Sequence, residues 1–408
     1  MIGSFGAVGS FGTIGSFGTI SSFSSLPLGT NALLVSFLTM VEVGVSPGVV
    51  GLLESSFGIG WIGTVASVAA LEWLGTVAAL AQIEGLDTVA RILIEGLGKA
   101  SIYFIIAIGL TLVFGLMGVL NFAHGAFAMV GSYVGGVLMV LLVASSAGAA
   151  TRILFFVVVV AMVFALLTAV GAALEVGLVR PIYDRTPMYQ ILLTFGVGLI
   201  LEEVARIVAT ARGIQPEPKW SGAQATIPSA LDAPSEILLT LFGARIRGFY
   251  LFAIVAGAIL AVIVWAFLTR TLYGLYIRAG SEDSEMVEAL GIDVRRAFTI
   301  VFGLGTGLAA VGGVFLMWDP TAGPSVLLNL EVLLYAFVVV VIGGLGSFKG
   351  TVVAALIVGL ADSLTTWLFT SGTVPFPGIS EVTLFTLLVI ALVIRPQGLY
   401  GVEEVGGH

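Results

Sequence analysis

RTLYGLYIRAGSEDSEMVEALGIDVRR, residues 270–296, is a long charged segment held between two apolar runs, and its reading decides the fold. Before it, Phe249–Leu268 carries no formal charge, and after it Ala297–Trp318 carries none either. Each run is about twenty residues, long enough as a helix to cross a hydrocarbon layer of about 30 Å. The segment is therefore a loop joining two membrane spans. Ser281 is placed to cap a short helix within it, Glu282 and Asp283 suit the positive end of that helix's dipole, and Gly291 is a natural stop. The resulting helix, of about nine residues, puts Met286, Val287 and Leu290 on one face and Glu282, Glu285 and Glu288 on another. It is too short to be stable alone and needs cover, either from its own bundle or from a soluble partner. Periodicity does not separate those two.

The whole composition agrees with a membrane protein. The chain of 408 residues is 58% hydrophobic and 10% charged, with a mean hydropathy of +1.14, and soluble domains are about 25% charged. Repeated uninterrupted apolar runs, without the alternation of a membrane barrel, predict an all-α, polytopic transmembrane bundle of about nine spans, with broken or short helices among them. Cysteine is absent, so disulfides, thiolate nucleophiles and cysteine metal sites are excluded. A net charge of −8, without a basic stripe, argues against nucleic acid as a partner. The acidic, lysine-poor balance is also that of proteins from salty cytoplasm, though other sources share it.

Residues 1–60 repeat GSFG-type units and then dissolve into Gly, Ser and Val, which predicts a low-complexity, disordered segment; without a basic start it does not read as a signal peptide. Residues 61–90 hold an apolar stretch that would make an extra or peripheral helix, a tenth span. The membrane domain proper is expected over 91–400. Its opening, LIEGLGKAS (93–101), fails as a phosphate-binding loop, because Leu93 and Ala100 stand where glycine and Ser/Thr are needed. Asn121 and His124 lie between two apolar runs, where polar groups face a cavity or partner unless they form a surface turn. Glu202 and Glu203 are adjacent in a span, but Arg206 follows one turn later, so an ion pair is expected rather than a proton site. Residues 213–247 form a proline-bearing loop on the side opposite residues 270–296, ending in a hairpin around Phe242-Gly243. A glycine-rich break, GGLGSFKG (343–350), separates two further apolar runs and is of the discontinuous kind that lines transport routes. Arg180, Arg185, Arg270, Arg278, Arg295, Arg296, Lys349 and Arg395 fall on the side of the charged loop, against Arg152, Arg212, Lys219, Arg245 and Arg247 on the other, a modest excess in the direction expected if the loop side is cytoplasmic, with the C-terminus internal.

Three stretches carry a family resemblance. AIGLTLVFGLMGVLNFAHGAFAMVGSYV (107–134), with Tyr103 ahead of it, resembles the first signature of the branched-chain amino acid permeases of ABC importers. VIGGLGSFKGTVVAALIVGLADSL (341–364) and VIRPQGLYG (393–401) resemble its second signature and its C-terminal end. The run Glu288-Ala289-Leu290-Gly291-Ile292, with Arg295 and Arg296 after it, looks like the coupling loop of ABC permeases. The resemblance implies a transport subunit rather than an enzyme, in the cell membrane of a prokaryote. It implies partners too: a second homologous permease, cytoplasmic ATPase subunits that carry the ATP and magnesium, an extracytoplasmic substrate-binding protein, and surrounding lipid. No cofactor is expected on this chain itself. Residues 270–296 become the ATPase-coupling loop, acting through Glu285, Met286, Val287, Glu288, Ala289, Leu290, Gly291 and Ile292. The candidates for the translocation path are Asn121, Phe122, His124, Gly125, Gly343, Gly344, Gly346 and Ser347. Branched-chain amino acids are the expected substrate, with urea or short amides as the alternative. A secondary transporter using Glu202, Glu203 or His124 would need more intramembrane charge than these spans carry.

Overall fold

The computed structural model describes residues 85–401, apart from 184, 233–239, 242–243, 283, 375 and 377. Residues 1–60 and 61–84 lie outside this range, and with them the expected low-complexity segment and most of the possible tenth span. Thirteen α-helices follow in order: α1 Leu86–Met117, α2 His124–Leu142, α3 Ala149–Leu174, α4 Pro187–Ala211, α5 Ser221–Gln224, α6 Ser229–Asp232, α7 Gly248–Arg270, α8 Leu272–Glu282, α9 Ser284–Ala289, α10 Val294–Trp318, α11 Leu328–Gly343, α12 Phe348–Thr370 and α13 Ile379–Ile394. Six of them are long and apolar enough to cross a membrane, and α11 and α13 are apolar but shorter. With α4, these make nine apolar helices among the described residues, the number of spans expected from residue 91 onward. The expected hairpin is a two-residue ladder, β1 Thr240–Leu241 antiparallel to β2 Ala244–Arg245.

Hydrocarbon offers the backbone no hydrogen-bond partner, so each crossing closes its own ladder as a helix, and local signals decide only the ends. Gly118, in the left-handed region at φ 62°, closes α1 by donating its N–H to the Phe114 carbonyl. Asp293 starts α10 by accepting from the Arg296 N–H, and Ser347 starts α12 by accepting from the Gly350 N–H. After α3 the chain keeps turning through a π segment, Glu175–Val179, and a 3₁₀ turn, Arg180–Ile182. The charged loop is also more helical than its sequence suggests, since α8 fills a stretch expected to be irregular. Gly291, at φ +82°, ends the loop helix where expected.

Helices α10 and α1 form the centre, with 89% and 78% of their most apolar windows buried, against 22% for α3 and α7 at the rim. Without a hydrophobic force between helices in lipid, close approach has to come from small residues. Gly131 and Gly313 supply it between α2 and α10: a Cβ on Gly131 would stand 2.3 Å from the Ala310 carbonyl oxygen, and one on Gly313 would stand 1.8 Å from that of Ala128. Between α1 and α10, Gly109 rests on the Gly305 backbone. One end of the bundle gathers α8 and α9, the α3–α4 and α11–α12 connections and the segment 395–401. The other gathers the β-hairpin, α5, α6 and residues 319–327, where Trp220 N–H donates to the Pro324 carbonyl and Val326 N–H to that of Pro216.

Candidate functional site

The segment Gly118–Ala123 does not lie flat at the end of the bundle. Met117 is eleven residues beyond Ile106, or about 16 Å along the axis of α1. Yet His124 Nε2 lies 2.8 Å from the Ile106 carbonyl oxygen, so the connection turns back into the interior. There Phe122 N–H donates to Thr194 Oγ1 of α4 at 3.1 Å, and the same hydroxyl reaches the Leu120 carbonyl. Asn121 Oδ1 accepts from the Ala123 N–H at 3.1 Å, a local turn that launches α2. Asn121 and His124 are both buried, and Asn121 Nδ2 and His124 Nδ1 have no hydrogen-bond partner. Burial excludes the surface-turn reading. Gly125 presses on the Asn329 carbonyl, where a Cβ would come within 1.9 Å.

The glycine-rich break is a backbone junction. A Cβ on Gly343 would meet Gly350, one on Gly344 would meet Gly401, and one on Gly346 would meet Gly115. Leu399 N–H donates to the Ile342 carbonyl and Tyr400 N–H to that of Gly343. Four chain segments are thereby locked at one point, with Ser347 Oγ serving as the cap of α12.

The loop helices sit at that same end. Val287 is buried, whereas Met286 is 57% exposed and Leu290 73% exposed. Glu288 and Ala289 are exposed, and Ile292 lies beyond the helix end; Glu285 lies on α9, its side chain outside the described set. On α8, Leu272 and Leu275 add to the exposed apolar surface, a contribution missed in the sequence because 272–282 read as loop. Below it, Glu175 is fully buried and takes Arg180 Nε at 3.2 Å and Nη2 at 3.0 Å. Arg180 Nη2 also donates to Thr299 Oγ1 of α10, and Tyr183 donates to Glu175 Oε1. Burial and the neighbouring carboxylate hold the Tyr183 phenol well above its ordinary value, so it stays a donor. Tyr183 packs edge-on against Phe298 at 5.3 Å. This clasp joins the α3–α4 connection to the helix that follows the charged loop.

At the opposite end, α1, α11, α12 and α13, with the close of α10, enclose a cavity of about 390 Å³. Its wall carries Lys99, Asp319, Glu331, Asp362 and Glu381, with Ile102, Ile106, Leu316 and Val332 as apolar lining. Lys99 Nζ pairs with Asp362 Oδ2 at 2.8 Å, both side chains nearly buried. Tyr103 donates to the same oxygen at 2.8 Å and stacks on Tyr335 at 4.6 Å. None of the eight path candidates is on this wall; His124 is one layer behind it, bonded to the carbonyl of Ile106, which is. The Lys99–Asp362 pair was legible only as two charges inside apolar runs 263 residues apart. Glu202, as expected, pairs with Arg206 at 3.3 Å; it also accepts from Asn329 Nδ2, and Glu217 completes the cluster. Among the described residues no group of His, Cys, Asp and Glu is arranged to hold a metal ion.

Comparison with known proteins places this arrangement. The family described as "Branched-chain amino acid transport system / permease component" matches residues 92–393. Over 312 residues the chain is 27% identical to the high-affinity branched-chain amino acid transport system permease protein LivH of Escherichia coli, covering 76% of this chain and 95% of the relative. It is 27% identical over 317 residues to the corresponding protein BraD of Pseudomonas aeruginosa, covering 77% and 96%. A shorter match, 30% over 137 residues and covering 30% of this chain and 36% of the relative, is to the fructose import permease protein FrcC of Rhizobium meliloti.

Proposed function

The chain belongs to the branched-chain amino acid transport permease family of ABC transporters, and on that premise we propose that it is the membrane subunit of an importer of branched-chain amino acids, driven by separate ATPase subunits through α8 and α9. The multi-pass bundle is the transporting element and performs no covalent chemistry. The observation that carries the reading is the exposure of Met286 on α9 and of Leu290 in the turn that ends it, joined by Leu272 and Leu275 on α8. A short helix with an apolar face left open is a helix-in-groove ligand. ATP binding moves the bundle if the ATPase grips that helix with different free energy in the inward-open and outward-open states. The loop end is then cytoplasmic, with the C-terminus beside it, and the hairpin end receives the extracytoplasmic binding protein. A second permease chain covers part of the apolar rim. The buried turn at Asn121–Gly125 and the junction at Gly343–Ser347 support the path as its fixed framework.

The test is co-purification with uptake. Tagged chain should bring down an ATPase, and Leu290→Glu should remove it, with leucine uptake in vesicles falling at least about tenfold, the loss of one buried apolar anchor, while abundance in the membrane is unchanged. Undiminished ATPase recovery would overturn the coupling role. Uptake of labelled urea in place of leucine would overturn the substrate.

A further inference from the structure

The cavity at the hairpin end holds four carboxylates, Asp319, Glu331, Asp362 and Glu381, against the ammonium groups of Lys99 and Lys219. The fold itself uses part of this set. Asp362 is taken by Lys99 and Tyr103. Asp319 Oδ1 accepts from the Thr321 N–H and hydroxyl, and Lys219 donates to the Thr321 carbonyl. Glu331 and Glu381 make no side-chain hydrogen bond or ion pair among the described residues, and both are exposed. Lys99 donates to Asp362 and to Thr366 Oγ1, so one of the three donors of its ammonium group is left over. The remainder of the wall is aliphatic. Its volume of about 390 Å³ falls in the range of roughly 300–1,000 Å³ found for small-molecule sites, which combine an apolar lining with a few polar groups. Glu331 and Glu381 stand in the first turns of α11 and α13, at the rim of the cavity, where an incoming cation can reach them.

We propose that this cavity is an amino-acid subsite contained within the single chain, holding the ammonium group of an aliphatic amino acid between Glu331 and Glu381, its carboxylate at the spare donor of Lys99, and its alkyl group on Ile102, Ile106 and Val332. The assignment rests on the reading of the protein as an amino-acid permease and adds to it a place where the substrate pauses after the binding protein releases it. Each part of the zwitterion meets its complement: the two free carboxylates attract the ammonium, the lysine fixes the opposite charge, and the aliphatic wall selects the side chain. A solute lacking either charge would leave part of the site unanswered.

Full-length protein in lipid nanodiscs is titrated with labelled leucine, with 4-methylpentanoate and 3-methylbutylamine as competitors that lack the ammonium and the carboxylate respectively. Leucine should bind saturably and both competitors at least about tenfold more weakly, the weight of one charge-assisted hydrogen bond. The double variant Glu331→Gln, Glu381→Gln should raise the Kd for leucine at least about tenfold, while Asp87→Asn, outside the cavity, leaves it unchanged. Since neither glutamate is engaged by the fold, an unaltered melting temperature is expected and separates a ligand effect from misfolding. Absence of leucine binding, equal binding of the amine, or an unchanged Kd in the double variant would each overturn the assignment. Uptake by vesicles carrying the partner subunits distinguishes the two levels of failure. If the wild type moves no aliphatic amino acid, the functional reading is wrong. If it does, and the KM is the same in the double variant, the cavity assignment alone is wrong.

Discussion

Lys99→Met removes one half of a buried ion pair, and its cost follows from what it leaves behind. Lys99 and Asp362 are 2.8 Å apart with side chains 9% and 8% exposed. In the variant, Asp362 retains only the Tyr103 hydroxyl as a donor. Stranding a buried charge in this way costs about 3–5 kcal/mol in soluble proteins. For an acidic group at the centre of a membrane helix the cost is about 2.5–3.5 kcal/mol on insertion scales. Both ranges imply a loss of at least about 2.5 kcal/mol for the single variant, about seventyfold in the folding equilibrium. The double variant Lys99→Met, Asp362→Leu removes the stranded charge with its partner and should recover most of that loss, because a paired charge replaced by apolar groups of similar size is often neutral in energy. Reversible unfolding by SDS in mixed micelles, followed by tryptophan fluorescence, measures all four corners of this cycle. If Lys99→Met were within about 0.5 kcal/mol of the wild type, as for a surface substitution, the pair would be solvated and the account of α1 packing on α12 would be wrong.

Gly313→Ala places a methyl group 1.8 Å from the Ala128 carbonyl oxygen and should cost at least about 1–3 kcal/mol in the same assay. Gly177→Ala, with nothing within 4 Å, should stay within about 0.5 kcal/mol of the wild type. In the clasp, Glu175→Ala should destabilise more than Arg180→Ala, since Glu175 is fully buried and the Arg180 side chain is 31% exposed; equal losses would show that the buried carboxylate is not its centre.

The crossings were legible in the sequence because lipid imposes one solution on any apolar run of sufficient length. Their ends were less so. The membrane domain was expected from residue 91, and the uncharged run begins only at Ala100, but α1 runs from Leu86. Its charges are tolerated because Asp87 is exposed in the first turn and the others are matched: Arg91 with Glu95 one turn on at 3.2 Å, and Lys99 with Asp362 of α12. A local pattern reports the first match and is silent on the second. The same limit hid the cavity, whose charged groups come from four helices and two connecting segments. Asn121 and His124 stood out as polar residues among apolar ones, and the structure accounts for their position through the buried turn that launches α2. What they do in transport is a matter for uptake measurements on His124→Ala. The heel of the charged loop, α8, was missed because Gly274 and Gly280 lower its helical signal, while its docking against α10 and α1 stabilises it.

The glycine contacts among α1, α2 and α10 have a mechanical consequence. At Gly109, Gly131 and Gly313 backbone rests on backbone, with no side chain between to slide or repack. These three rods should move as one piece, and α3 is tied to them as well, since a Cβ on Gly303 would stand 2.8 Å from the Thr168 carbonyl oxygen; the flexing of a transport stroke then falls to the other rim helix, α7. Paired spin labels on α1 and α10 should hold one fixed separation through the ATP cycle, while a pair spanning α1 and α7 records the stroke.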